Sequence, residues 1–110
     1  MLFRSGVNFL ANFSSNYTDA NTASSTVFNY GTGTNLLASA VASGLHKTLS
    51  TTDMIRSYTE YDGSQDNLQK YTLNLKSGVA FIAGFANSYA AASVASSTVF
   101  NYGTGTNLLA

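Results

Sequence analysis

Sixteen residues, ASSTVFNYGTGTNLLA, fill positions 23–38 and return letter for letter at positions 95–110. The offset is 72 residues, and eight more identities appear when residues 1–22 are laid over 73–94: Ser5/Ser77, Gly6/Gly78, Val7/Val79, Phe9/Phe81, Ala11/Ala83, Phe13/Phe85, Tyr17/Tyr89 and Ala20/Ala92. In all, 24 of 38 aligned positions agree. A fixed period of this kind constrains folding more than any local propensity, because each copy is a unit that buries its apolar face against a neighbour. The chain divides into a first repeat unit, residues 1–72, and a partial second unit, residues 73–110, and reads as about one and a half copies from a tandem array.

The 110 residues are 45% hydrophobic, enough for one small domain with a packed core. Charge is thin: five acidic residues, five basic, one His and a formal net charge of zero. Solubility therefore rests on polar neutral side chains, Ser and Thr supplying 28 of them. A surface so weakly charged gives little mutual repulsion, so the expected partners are other copies of the same repeat. Nothing here would neutralise a row of phosphates, which argues against nucleic acid. Without Cys there is no disulfide and no thiolate metal site.

The opening MLFRSGVNFLANF has the outline of a signal peptide, one Arg before an apolar run. The same segment recurs inside the chain as LNLKSGVAFIAGF, so it is read as part of the repeat. A charge-free run of 34 residues follows Lys76, but Asn87, Ser88, Ser93, Ser96, Ser97 and Asn101 interrupt it. No stretch accumulates the roughly twenty apolar residues that a membrane-spanning helix needs.

Periodicity points to helices. Between Leu2 and Asp19, Phe3, Val7, Leu10, Phe13 and Tyr17 share one side of a helical wheel, with Arg4, Asn8, Asn12 and Asp19 opposite. In the second copy Ser64 is placed to cap a longer helix over residues 65–92, with Leu68, Tyr71, Leu75, Val79, Ile82, Phe85 and Tyr89 at spacings of three and four. Leu37, Val41, Leu45 and Leu49 give an i, i+4 stripe over residues 36–49, and Met54, Ile55, Tyr58 and Tyr61 mark a helix after Ser50-Thr51-Thr52-Asp53. Two stretches admit strands as well. The run from Ser25 to Tyr30, STVFNY, has equal β-propensity. The run from Arg56 to Leu75 can form a hairpin, residues 56–61 returning as 69–75 around DGSQDN. The expected fold class is all-α, a small helical bundle; the alternative is a β-rich repeat module.

Candidate chemistry is sparse. His46 is the only His, beside Lys47, and is expected on a helix surface. One His without Cys supports neither a nucleophile triad nor a metal site. Residues 62–67, DGSQDN, alternate oxygen ligands faintly like a calcium loop, but lack the Gly at the sixth position and the acid at the twelfth, which is Leu73. Gly31-Thr32-Gly33 lacks the Lys-Ser/Thr of a phosphate loop. Sequons at Asn12 and Asn16 have no counterpart at Gly84 and Ser88, so glycosylation is no property of the repeat. Eight of the ten charges lie from Lys47 to Lys76, a solvated face or a patch between modules. No catalytic, cofactor-binding or metal site is expected, nor a small-molecule substrate.

The cadence FIAGFANSYAAAS, with ASSTVF and LLASAVASGL, resembles the helical repeat modules of spider-silk proteins, which are rich in Ser and Ala, low in charge and free of Cys. The resemblance covers mainly residues 78–92 and 23–44, while residues 58–67 depart from it. It implies a secreted, non-enzymatic structural module that keeps a fibre protein soluble in storage and makes inter-module contacts on assembly. Phe81, Phe85 and Tyr89, with Leu37 and Val41, would form its core. The second expectation is a binding module, such as a repeat of a bacterial or phage surface adhesin, a class of Cys-free, Ser/Thr/Asn-rich repeats that are usually β.

Overall fold

A computed structural model describes residues 2–4, 6 and 17–109. Its strands are β1 (Leu2–Phe3), β2 (Thr22–Asn29), β3 (Ala38–Ser43), β4 (Ile55–Tyr61), β5 (Gln69–Leu75) and β6 (Val94–Val99). They form one antiparallel sheet in chain order, each strand hydrogen-bonded to the next. Five strands have six to eight residues and β1 has two. Among the described residues there is no α-helix, only single 3-10 turns at Asp19–Asn21, Ala83–Phe85 and Ala91–Ser93.

The all-α helical bundle is therefore wrong, and the β-rich alternative is the observed class. The hairpin of β4 and β5 around DGSQDN and the strand through STVFN stand in place of helices. The reason is composition at period two. Tyr71, Leu73 and Leu75 alternate with Thr72 and Asn74, and such β-branched and aromatic runs fit a pleated, half-buried surface. Gly78, at φ +87°, lies outside the helical region in the middle of the long helix expected over residues 65–92. The stripe over residues 36–49 misled because β3 is built on Ala38, Ala40 and Ala42, all buried, with hardly any apolar contrast to Ser39 and Ser43. Of the helix expected over residues 2–19, Leu2–Phe3 is strand and residues 7–16 lie outside the described residues.

The sheet has two unlike faces. Register places Ala40 between Val27 and Tyr58, and Tyr58 opposite Leu73, so these side chains share one face. A register shift opposite Ala42 lets Ile55 join Tyr58 on it. Residues 79–93 return across this face and supply Phe81 (4% exposed), Phe85 and Tyr89 to the core. Tyr58 packs on Tyr89 with ring centroids 5.6 Å apart, and Phe81 meets Phe85 edge-on at 4.9 Å. The aromatic part of the expected core is thus present. Leu37, 41% exposed, and Val41 are not in it, because β3 turns its alanines inward and Val41 to the other face. That second face is a polar ladder: Thr59 Oγ1 lies 2.9 Å from Thr72 Oγ1, and Asn74 Nδ2 donates to Ser96 Oγ at 3.1 Å.

The 72-residue period is also structural. β1 pairs with β2 as Leu2↔Ser24 and Phe3↔Thr22, with a register shift between the two pairs. β5 pairs with β6 as Asn74↔Ser96 and Leu75↔Val94, with the same shift. Every one of these residues is displaced by 72. The hairpin turns match too. Gly33 N–H donates to Tyr30 O at 3.1 Å, and Gly105 N–H to Tyr102 O at 3.1 Å. Asn29 and Asn101 accept from the amides of Gly31 and Gly103 at 2.9 and 3.0 Å.

Candidate functional site

The densest polar cluster is built around Glu60, which β4 places on the apolar face opposite Tyr71. Its Oε1 accepts from Tyr71 Oη at 3.1 Å, from Asn87 Nδ2 at 3.1 Å and weakly from Tyr58 Oη at 3.5 Å. Its Oε2 takes Lys70 Nζ at 3.1 Å. Burial works to raise the pKa of this carboxyl, but the hydrogen bonds from Lys70, Tyr71 and Asn87 outweigh it and hold the group below its ordinary value. Burial is also the main reason the phenols of Tyr58, Tyr71 and Tyr89 are pushed above theirs. Tyr58 donates to the carbonyl of Phe85 at 3.1 Å, so the cluster ties residues 85–87 onto the sheet. Phe85 is held there at φ +57°, a conformation that costs a bulky side chain energy. This arrangement is a clamp. Both oxygens of Glu60 are engaged by side chains of the chain itself.

Sequence reasoning counted Glu60 only as one charge in a run. The signal available was the alternation Tyr58-x-Glu60, which puts an acid on the same strand face as an aromatic residue. The rest of that run does not gather into one patch. Lys70 pairs with Glu60, His46 Nδ1 lies 3.7 Å from Asp53, and Arg56 Nε donates to Ser43 Oγ at 2.8 Å.

His46 sits in the loop after β3, not on a helix, where its backbone N–H donates to Ser25 Oγ at 2.9 Å. Residues 62–67 form a turn. The backbone N–H and hydroxyl of Ser64 occupy the Asp62 carboxylate and hold its pKa below the ordinary value. Asn67 uses its Oδ1 to accept Leu36 N–H at 2.9 Å. Among the described residues no group of three potential metal ligands comes together. Gly31-Thr32-Gly33 is the tip of the β2–β3 hairpin. The sequons at Asn12 and Asn16 lie outside the described residues.

A shallow groove of about 560 Å³ runs past Ser43, Met54, Arg56, Leu75 and Lys76. It holds two cations and no acid or nucleophile pair. A second groove, of about 330 Å³, lies between the β4–β5 turn and the end of β6, lined by Asp62, Leu68, Tyr71, Val99 and Tyr102. Lys70 also lines this second groove, and its amine is held by Glu60.

The feature left over is an edge. No described strand pairs with the outer side of β6. Identical residues therefore sit in opposite surroundings in the two copies. Ser24, Ser25 and Leu36 (8% exposed) are buried, whereas Ser96, Ser97 and Leu108 (57%) are exposed. Val99, the counterpart of the half-buried Val27, is 79% exposed. Comparison with known protein families, with characterised proteins and with solved structures returned no match.

Proposed function

We propose that this chain is a non-enzymatic structural repeat module of a secreted, extended protein, in which each 72-residue unit adds four antiparallel strands to one sheet. One observation carries the reading: β1–β2 and β5–β6 pair in the same register, with the same shift, 72 residues apart. Counting from β2 to its counterpart β6, one unit contributes β3, β4, β5 and β6. The Ser/Thr ladder supplies hydration on one face, and the aromatic segment after β5 seals the other. The partners in this reading are further copies of the repeat.

The silk resemblance implied a helical module, and the sheet removes that part of its support. What remains of it is composition and tandem repetition. The sheet is in keeping with the second expectation, a binding module such as a repeat of a bacterial or phage surface adhesin, since those repeats are usually β. The two readings differ in class: the first makes the repeat structural, the second makes it a binding module.

The test is a chain lengthened by one and by two further 72-residue units, measured by small-angle X-ray scattering. Each unit should lengthen the particle across the strands by about 19 Å, four strands at about 4.8 Å each. Separate beads joined by flexible linkers, or a particle that grows equally in all directions, would overturn the reading.

A further inference from the structure

We propose that the outer edge of β6, with the hairpin that follows it, is a docking surface for strand β3 of a second copy of this chain. It is occupied by exchange: residues 95–109 of one copy take the place of residues 23–37 in the other. The inference rests on the repeat reading above but concerns contacts between chains, where that reading concerns one chain.

Three observations carry it. The first is identity, since the incoming and outgoing segments have the same sequence and the same hairpin geometry. The second is the free edge and its exposure. Phe100 N–H donates to Lys70 O at 3.1 Å, so positions 96, 98 and 100 turn their backbone groups to β5. Strand alternation then leaves the N–H groups of Ser97 and Val99 on the outer side. In the first copy Gly44 N–H donates to Ala23 O at 3.0 Å, so positions 23, 25 and 27 turn theirs to β3. The groups that β2 uses to hold β3 are thus the ones that β6 leaves unused among the described residues.

The third is that the partner's side of the contact is already built. Against β3 and the β4–β5 turn, the first copy makes a bond from Ser25 Oγ to Gly44 O, from Asn35 Nδ2 to Gly63 O and from Leu36 N–H to Asn67 Oδ1. Ser97, Asn107 and Leu108 are the same residues and can remake each of these bonds. The exchange conserves the β2–β3 ladder, giving up one copy of it for another. What opposes it is effective concentration, because the chain's own β2 is tethered beside β3. Exchange therefore grows with protein concentration, and since the contact is head-to-tail it adds chain after chain unless a ring closes.

The test uses the full chain, whose lack of Cys makes engineered pairs unambiguous. Thr26 faces Val41 across the β2–β3 ladder in a non-hydrogen-bonded pair, where the backbones approach most closely, so Thr98 faces the second copy's Val41 after exchange. Thr98→Cys chains mixed with Val41→Cys chains under a mild oxidant should give a disulfide-linked heterodimer whose yield rises with concentration. The product should be lost when Ala40→Cys replaces Val41→Cys, because one residue of slip turns the side chain to the opposite face. It should also be lost when Ser97→Pro is added to the Thr98→Cys chain, which removes an outer N–H and leaves the β5 ladder intact. Circular dichroism of that variant should match the parent. A heterodimer that forms equally with Ala40→Cys, one that survives Ser97→Pro, or none at any concentration overturns the exchange. Lengthened chains that extend the sheet would still support the repeat reading in that event.

Discussion

Glu60 is the residue on which the pH response of this fold turns. Its carboxyl has a lowered pKa in the folded chain, so ionised Glu60 stabilises the fold above its unfolded pKa of about 4.5. That contribution is lost as pH falls through the lower, folded value. The three phenols act in the opposite sense. Their pKa values are raised from 10.0, so the neutral forms stabilise the fold below pH 10 and the contribution is lost as pH rises beyond it. The expected stability profile is flat from pH 6 to 9, roughly, and falls on both sides. Glu60→Gln should cost about 1 kcal/mol at neutral pH, since the amide cannot accept from Lys70, Tyr71 and Asn87 together. It should also flatten part of the acid side, where Asp62 still contributes, and soften the alkaline side, because the Glu60 charge helps to raise Tyr58 and Tyr71. Urea unfolding at a series of pH values measures both effects.

At the scale of elements, the two hairpins are an internal experiment. Gly31 and Gly103 have φ of +60° and +59°, and a Cβ on either would lie 2.8 or 2.9 Å from Cδ1 of Leu37 or Leu109. The local penalty of alanine is therefore equal, about 1–2 kcal/mol from the left-handed backbone and the close contact. The elements differ in what depends on them. The first hairpin joins β2 to β3 in the middle of the sheet, and the second ends at an open edge. Gly31→Ala should lower global stability by that amount, whereas Gly103→Ala should leave the denaturation midpoint nearly unchanged. Hydrogen exchange should show the Gly103→Ala effect only in residues 100–109. Equal losses of global stability would mean that the second hairpin is as integrated as the first.

For the whole molecule, a sheet whose strands follow chain order with a repeating register has no built-in stop. Its stability should behave as a sum of unit and neighbour contributions. A chain carrying one further 72-residue unit should have a higher thermal midpoint than the 110-residue chain, because β6 then gains the partner that β2 already has. Scanning calorimetry checks this. An unchanged midpoint would mean that the added unit folds by itself and the edge gains nothing.

The repeat and its 72-residue period were legible from residues alone, because identity needs no structure to be seen. So were the β2–β3 loop at Gly31-Thr32-Gly33, the turn at residues 62–67 and the aromatic contribution of Phe81, Phe85 and Tyr89 to the core. The choice between helix and strand was not. Tyr71, Leu75, Val79 and Ile82 satisfy a helical spacing while Tyr71, Leu73 and Leu75 satisfy an alternating one, and local pattern cannot rank the two. Pairing decides it. Ala40 has no strand preference of its own, but between Val27 and Tyr58 it lets residues 79–93 close over the sheet. The Glu60 clamp needed tertiary structure for the same reason, since Lys70, Tyr71 and Asn87 reach one carboxylate only after β4, β5 and the return segment are in place. Sequence by itself determined that the chain repeats. Only the long-range ladder determined that it repeats as strands, because each strand's hydrogen bonds are made to a segment elsewhere in the chain.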